Sequence, residues 1–311
     1  MASAISLEYP QRDSFKTLDG KASFYAAYDA ALKTWPVPFE ELDVPTPFGT
    51  THVIVTGPKD APPLVLLHGY MATSVMWGPN VGDFSQRYRV YAIDTMGQPS
   101  KTIPAEPIAS AADYVTWLTA TLDALDLDRV NLLGMSFGGW LALNYACAAP
   151  DRVGTLTLLS PGGALKISTQ FRLRGMLMVL VPMRFTVNSF MHWAGLKNDP
   201  GRTEDWRVID LTYLGLKHFR MPPETLRAAT ANALSDDELR ALRMPVLLLL
   251  GEDEVLYDAA AAMARARRLI PDFQGELVPD CRHDMVSSQS RIVDARVMEF
   301  LEKGQDTVRS P

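Results

Sequence analysis

Residues 130–139 read VNLLGMSFGG, and the fold turns on this stretch. A short apolar strand, Val130 to Leu133, stops at Gly134. Ser136 falls in a tight turn, and a helical pattern starts behind it at Gly138. The pentapeptide Gly134-Met135-Ser136-Phe137-Gly138 is a G-x-S-x-G nucleophile elbow set between a buried strand and a helix. Such a turn forces the serine into a strained backbone conformation that lifts its hydroxyl clear of the sheet. Glycines on either side leave no side chain to collide with the neighbouring strand and helix.

An elbow serine is inert without a base and an acid. The chain has five histidines, His52, His68, His192, His218 and His283. His283 alone lies beyond a late apolar strand, Leu247 to Leu250, in a loop before a final helix over Arg291 to Leu301. Its surroundings, Pro279-Asp280-Cys281-Arg282-His283-Asp284-Met285, are irregular and polar, as expected of an exposed loop carrying a base. For the acid, the run Pro245 to Leu250 is continuously apolar, as in a strand buried on both faces. It ends in Gly251-Glu252-Asp253-Glu254-Val255, at the carboxyl end of the strand, where open α/β sheets place their sites. Glu254 and Asp253 are both candidates. The spacing from Gly251 favours Glu254, and Glu252 reads as a solvated loop residue.

Attack by Ser136 creates an oxyanion that needs preorganised N–H donors. One is the N–H of Phe137, immediately after the nucleophile. The other is expected from the loop after the strand Leu64 to Leu67, which runs into His68-Gly69-Tyr70-Met71. Gly69 lets that backbone turn close to the serine, and the N–H of Tyr70 is the second candidate donor. His68 precedes the serine and ends a buried strand, so its expected job is to hold the loop by hydrogen bonds.

The set LVLLHG, GMSFGG, LLLLGEDEV and CRHDM resembles the α/β-hydrolase superfamily. Over roughly residues 20 to 302 the chain is similar to bacterial carboxylesterases that cleave arylpropionate esters such as naproxen methyl ester. The likeness extends to FGTTHVIVTGPKDAPPLVLLHG (Phe48 to Gly69) and YAIDTMG (Tyr91 to Gly97), and weakens in the middle. In those relatives the acid is a glutamate in a Gly-Glu-x-Glu-Val stretch, which implies Glu254. Two features depart from the pattern. The loop after His283 lacks the acidic residue often found before Gln289, and bulky Tyr70 and Met71 stand where small residues are frequent. The resemblance implies an α/β-hydrolase fold and a serine carboxylesterase acting on small to medium apolar or aryl esters. Ser136, Glu254 and His283 would be catalytic, with Tyr70 and Phe137 at the oxyanion and no metal or organic cofactor. A lactonase, a C–C bond hydrolase or a perhydrolase can share the triad. A catalytically silent ligand-binding protein is the rival outside enzymes. Aspartate at the elbow would have indicated dehalogenase or epoxide-hydrolase chemistry, and this chain has serine.

The 311 residues are 47% hydrophobic, enough for one large α/β domain. The net charge of −6 comes without a Lys/Arg cluster, which argues against a nucleic-acid partner. Two cysteines, Cys147 and Cys281, exclude a disulfide scaffold and suit a reducing cytoplasm. Cys281 has no separate base and reads as a bystander. The start, MASAISLEYPQRDSFKTLDG, lacks the basic and apolar parts of a signal peptide, and the apolar runs are shorter than a membrane span. The expected partner is therefore a small-molecule ester, with no nucleic acid and no membrane; a homo-oligomer is left open.

Residues 21 to 35 read as a helix. Phe39 to Val44 and Thr50 to Thr56 form a hairpin around Pro47-Phe48-Gly49, the antiparallel edge of an otherwise parallel sheet. Parallel strands follow at 64–67, 90–93, 130–133, 155–159, 246–250 and 275–278, with helices between them, notably over 109–125 and 139–149. One connection is abnormally long, with about 80 residues between Gly163 and Met244. It holds three apolar runs of helical character, FRLRGMLMVLVPMRF, NSFMHWAGL and DWRVIDLTYLGLKHF. The expected layout is a core domain of 1–161 and 244–311 and a helical cap of 162–243, inserted after the sixth strand. Met176, Met178, Met183 and Met191 could line an adaptable apolar pocket or form the cap's own core. No exposed amphipathic lid suited to a lipid surface is evident.

Overall fold

The computed structural model describes residues 14–196, 205–229 and 233–309. Helix α1 (Leu18–Leu32) starts at Thr17, whose hydroxyl accepts the N–H of Gly20. Strands β1 (Phe39–Thr46) and β2 (Gly49–Thr56) form the expected hairpin. Then come β3 (Pro63–Leu67), α2 (Gly78–Phe84), β4 (Arg89–Ile93) and a two-residue strand β5 (Ile103–Pro104). Helix α3 (Ala111–Ala124) is capped by Ser110, and β6 (Val130–Met135) runs through the elbow into α4 (Phe137–Ala148). After β7 (Val153–Leu159) lie α5 (Thr169–Leu180), α6 (Arg184–Trp193), α7 (Asp205–His218), α8 (Pro223–Ala228) and α9 (Asp236–Arg240). The chain closes with β8 (Val246–Gly251), α10 (Ala259–Leu269), β9 (Phe273–Val278) and α11 (Ser290–Arg309).

The strands form one sheet in the order β1-β2-β4-β3-β6-β7-β8-β9, with β5 paired to β2. Pairing is antiparallel at β1–β2 and β2–β4 and parallel from β4 through β9. Because β5 adds a strand, the long insertion follows the seventh strand rather than the sixth.

Strand alternation divides the core in two. On β3, Val65 and Leu67 join the cluster that holds α3, α4 and α10, while Leu64 and Leu66 join the one that holds α1, α2 and α11. Leu248 and Leu250 on β8 likewise oppose Leu247 and Leu249. Each such buried side chain contributes about 1.5–3 kcal/mol, which is why β3 and β8 carry apolar side chains on both faces.

The insertion departs from the sequence reading in three ways. The single run expected over 171–185 breaks at Pro182, which cannot continue α5 and leaves α6 to restart at Arg184. Leu234, Leu239 and Leu242, in and around α9, pack into the main core, and Phe219 packs edge-on against Phe15 beside α1. The third concerns solvent. Leu173, Met176, Leu177, Leu180, Met183 and Phe185 are exposed, so α5 carries an outward apolar face that periodicity did not foretell. No described helix is long and apolar enough to cross a membrane.

Candidate active site

Ser136 sits between β6 and α4 with φ 53° and ψ −112°, a left-handed conformation that L-residues rarely adopt. Backbone bonds hold it there. Its N–H donates to Leu159 O at 2.9 Å, and its carbonyl accepts the N–H groups of Trp140 and Gly162. The glycines are sterically required. A Cβ on Gly134 would lie 2.2 Å from Gly138 O, and one on Gly138 would lie 2.0 Å from Leu67 O.

From this position Ser136 Oγ lies 2.9 Å from His283 Nε2, and His283 Nδ1 lies 2.9 Å from Glu254 Oε1. The Glu254 carboxylate is fully buried, and its Oε1 also accepts the N–H groups of Val255 and Leu256, each at 2.8 Å. Burial by itself would raise the pKa of this carboxyl. The charge and hydrogen bond of His283, with contacts from the Ser160 hydroxyl and the Leu256 N–H, more than offset that and hold it below the usual range. For His283 burial by itself would lower the pKa, and Glu254, helped by Asp284, raises it instead. The arrangement therefore directs Nδ1–H toward Glu254 and leaves Nε2 as an acceptor facing the Ser136 hydroxyl. Asp253 is exposed and takes no part in this chain of bonds.

The candidate oxyanion donors flank the serine. Phe137 opens α4, where an N–H has no carbonyl one turn earlier to receive it. The loop carrying Tyr70 passes close: a Cβ on Gly69 would touch Ser136 Cβ at 3.7 Å and Met135 Sδ at 3.3 Å. The rings of Tyr70 and Phe137 meet edge to face at 6.0 Å. His68 does hold this loop. It is buried, accepts the N–H of Thr95 on Nε2 and bonds Gly69 O through Nδ1, each at 2.9 Å.

Residues 62–194 match the family model of the α/β-hydrolase fold. An uncharacterized carboxylesterase, nap, of Bacillus subtilis (strain 168) is 35% identical over 296 residues, which span 91% of this chain and 93% of that protein. The chain belongs to the α/β-hydrolase family. A second relative of the hydrolase, carboxylesterase YbfK of the same organism, is 34% identical over 92% of this chain and 96% of its own. The crystal structure of naproxen esterase (carboxylesterase NP) from Bacillus subtilis superposes with a TM-score of 0.84 at 33% identity, covering 92% of this chain and 99% of that one.

The hydrolase also uses residues that sequence reasoning did not single out. Gln98 Oε1 accepts the N–H of Met71, which has φ 59°, and Asp94 accepts the N–H groups of Ser74 and Lys101. Together they pin the Tyr70 loop from below. The one available signal was that both follow the carboxyl end of a buried strand. Ser160, φ 43° and fully buried, lies near the Glu254 carboxylate at the end of β7, though neither its Oγ nor Glu254 Oε2 has a hydrogen-bond partner among the described residues.

One expectation about the base needs correction. The loop is exposed at Pro279, Asp280 and Arg282, as expected, but His283 itself keeps only 7% of its surface, because the Phe171 ring of α5 stands edge-on to it at 5.5 Å. Phe171 in turn packs against Phe190 and Trp193 of α6. The four methionines also separate. Met178 is buried in the insertion's own cluster with Val187 and Ile209, Met191 packs against that cluster, and Met176 and Met183 face solvent. A cleft of about 500 Å3 opens beside Glu254, lined by Gln170, Trp193, Asp253 and Arg282 among others; neither Ser136 nor His283 lines it.

Proposed function

We propose that this α/β hydrolase is a serine carboxylesterase whose catalytic residues are Ser136, His283 and Glu254. The observation that carries this reading is the pair of 2.9 Å contacts linking the three side chains in series. Ser136 Oγ attacks the ester carbonyl while His283 Nε2 takes its proton, and Glu254 stabilises the imidazolium that forms. The N–H groups of Phe137 and Tyr70 hold the oxyanion. His283 then protonates the departing alcohol and activates water, which releases the acid from Ser136.

Residues 162–243 serve as a cap over this site. Phe171 against His283 and the buried cluster of Met71, Met178 and Val187 support an apolar or aryl acyl group. The relatives named carboxylesterase and naproxen esterase support the same substrate class. Two cysteines outside any disulfide, half-buried Cys147 and buried Cys281, suit a reducing cytoplasm.

Hydrolysis of p-nitrophenyl butyrate tests the reading. Wild type turns it over, and Ser136→Ala lowers kcat at least ~10³-fold with an unchanged far-ultraviolet circular dichroism spectrum. Near-normal turnover by Ser136→Ala would reject the nucleophile. No turnover by the wild type across an ester panel would favour the silent binding protein.

A further inference from the structure

Among the described residues twelve large apolar side chains are exposed, and eight of them fall within positions 173 to 185. The concentration has a simple geometry. Helix α5 turns Phe171 and Met178 inward, while Leu173, Leu177 and Leu180 recur on its other side at helical spacing. Leu180 is 72% exposed and Phe185, past the turn into α6, is 78% exposed, so both project into solvent. A helix apolar on both sides is ordinarily buried on both sides. A continuous exposed ridge of this kind marks an interaction surface.

Charge indicates what the ridge meets. Residues 162–196 hold Lys166, Arg172, Arg174 and Arg184 and no Asp or Glu, in a chain whose net charge is −6. All four cations are exposed. Arg174 lies over the Trp193 ring and Arg184 meets Asp210, which fixes them beside the ridge. A two-fold pairing of copies through this face would set the same cations against themselves with no carboxylate on the ridge to answer them. An apolar ridge whose own segment carries only cations, with Asp210 of α7 answering Arg184 alone, instead matches a bilayer with anionic headgroups.

We propose that α5 and the turn into α6 dock the protein onto an anionic lipid surface, with Leu177, Leu180 and Phe185 entering the acyl boundary and Lys166, Arg172 and Arg184 facing the headgroups. This is peripheral attachment, and it revises the expectation that no membrane is a partner. The inner side of the same helix reaches His283 through Phe171. Docking would therefore hold the site beside the layer in which apolar esters accumulate. The inference rests on the surface of α5 and stands apart from the serine chemistry.

Sedimentation of the full chain with lipid vesicles tests it. The wild type, and equally Ser136→Ala, should bind vesicles of phosphatidylcholine containing about one third phosphatidylglycerol. Binding should be weaker to pure phosphatidylcholine and at high salt. The double variant Leu180→Glu, Phe185→Glu should lose at least about tenfold in partitioning. It should still hydrolyse soluble p-nitrophenyl butyrate within about twofold of wild type. Arg172→Glu should weaken binding at low salt only. The proposal is overturned if the wild type ignores anionic vesicles or if the double variant binds as well as wild type. It is also overturned if light scattering finds a wild-type dimer that the double variant splits into monomers, since the ridge would then join two copies.

Discussion

Asp253 and Glu254 are chain neighbours in opposite surroundings. The Glu254 carboxylate is fully buried and accepts three N–H groups, whereas Asp253 is exposed. Glu254→Gln should therefore slow single-turnover hydrolysis by roughly 10³-fold or more, because a neutral amide no longer selects the productive imidazole tautomer. Asp253→Asn should change it by less than about twofold, as surface substitutions do. Equal effects, or the reverse order, would move the role to Asp253. Under the proposed mechanism the same carboxylate sets the acid limb of the pH profile. His283 must be neutral to accept the serine proton, and Glu254 raises its pKa above 6.5 despite burial. The rise of kcat/KM with pH should thus be centred above 6.5 in the wild type. It should shift to lower pH in the residual activity of Glu254→Gln. A limb that does not move would separate the titrating group from this pair.

At the scale of elements, the elbow holds its shape because α4 meets both β6 and the end of β3 through glycine. A Cβ on Gly138 would lie 2.0 Å from Leu67 O and 2.7 Å from His68 O, both immovable backbone atoms. Gly138→Ala should cost about 3–5 kcal/mol in thermal or urea unfolding, in the range of severe core disruptions. Gly78→Ala in α2, where a Cβ meets nothing within 4 Å, should fall within about ±0.5 kcal/mol. The packing of α11 on α2 carries a pH dependence of its own. Burial, with the Asp83 charge adding to it, pushes the Asp294 carboxyl up to about 7, against a bond from Asn80 Nδ2 at 2.7 Å that lowers it. The folded state then holds a proton there that the unfolded chain releases near 3.8. This contribution is fully favourable below that value and is lost as pH rises toward 7. Asp294→Asn should accordingly be more stable than wild type at pH 8, by about 2–4 kcal/mol, and near parity at pH 4. Urea unfolding at the two pH values checks it; a constant difference would contradict the titration.

Across the whole molecule, an apolar cap over a buried base should make acyl size the main determinant of rate. The kcat/KM for p-nitrophenyl esters should rise from acetate to medium chains by at most about 1–3 kcal/mol per methylene, then fall once the pocket is full. A steady rise to palmitate would contradict a closed pocket. How much of this was legible in the sequence follows from what each feature depends on. The strands around Leu64 and Leu247 are continuous apolar runs and that at Val130 is broken only by Asn131, so they could be read within a residue or two. Ser136 and Glu254 each follow such a run and His283 follows the more polar edge strand β9, so strand order placed them at one end of the sheet. Gln98 and Ser160 lie in loops that meet their neighbours only after folding, and their place beyond a buried strand does not say which groups they will face. The outward face of α5 was hidden for a related reason: periodicity reveals that apolar residues recur, and packing decides which of them find a partner. The claim on which the account rests is that His283 activates Ser136, and covalent trapping reads this out directly. The whole chain is incubated with an alkyl fluorophosphonate, and intact mass with peptide mapping follows. The account predicts one phosphonyl group per chain, on Ser136, formed far more slowly in a His283→Ala variant. Labelling at any other residue, or at an equal rate without His283, would contradict it.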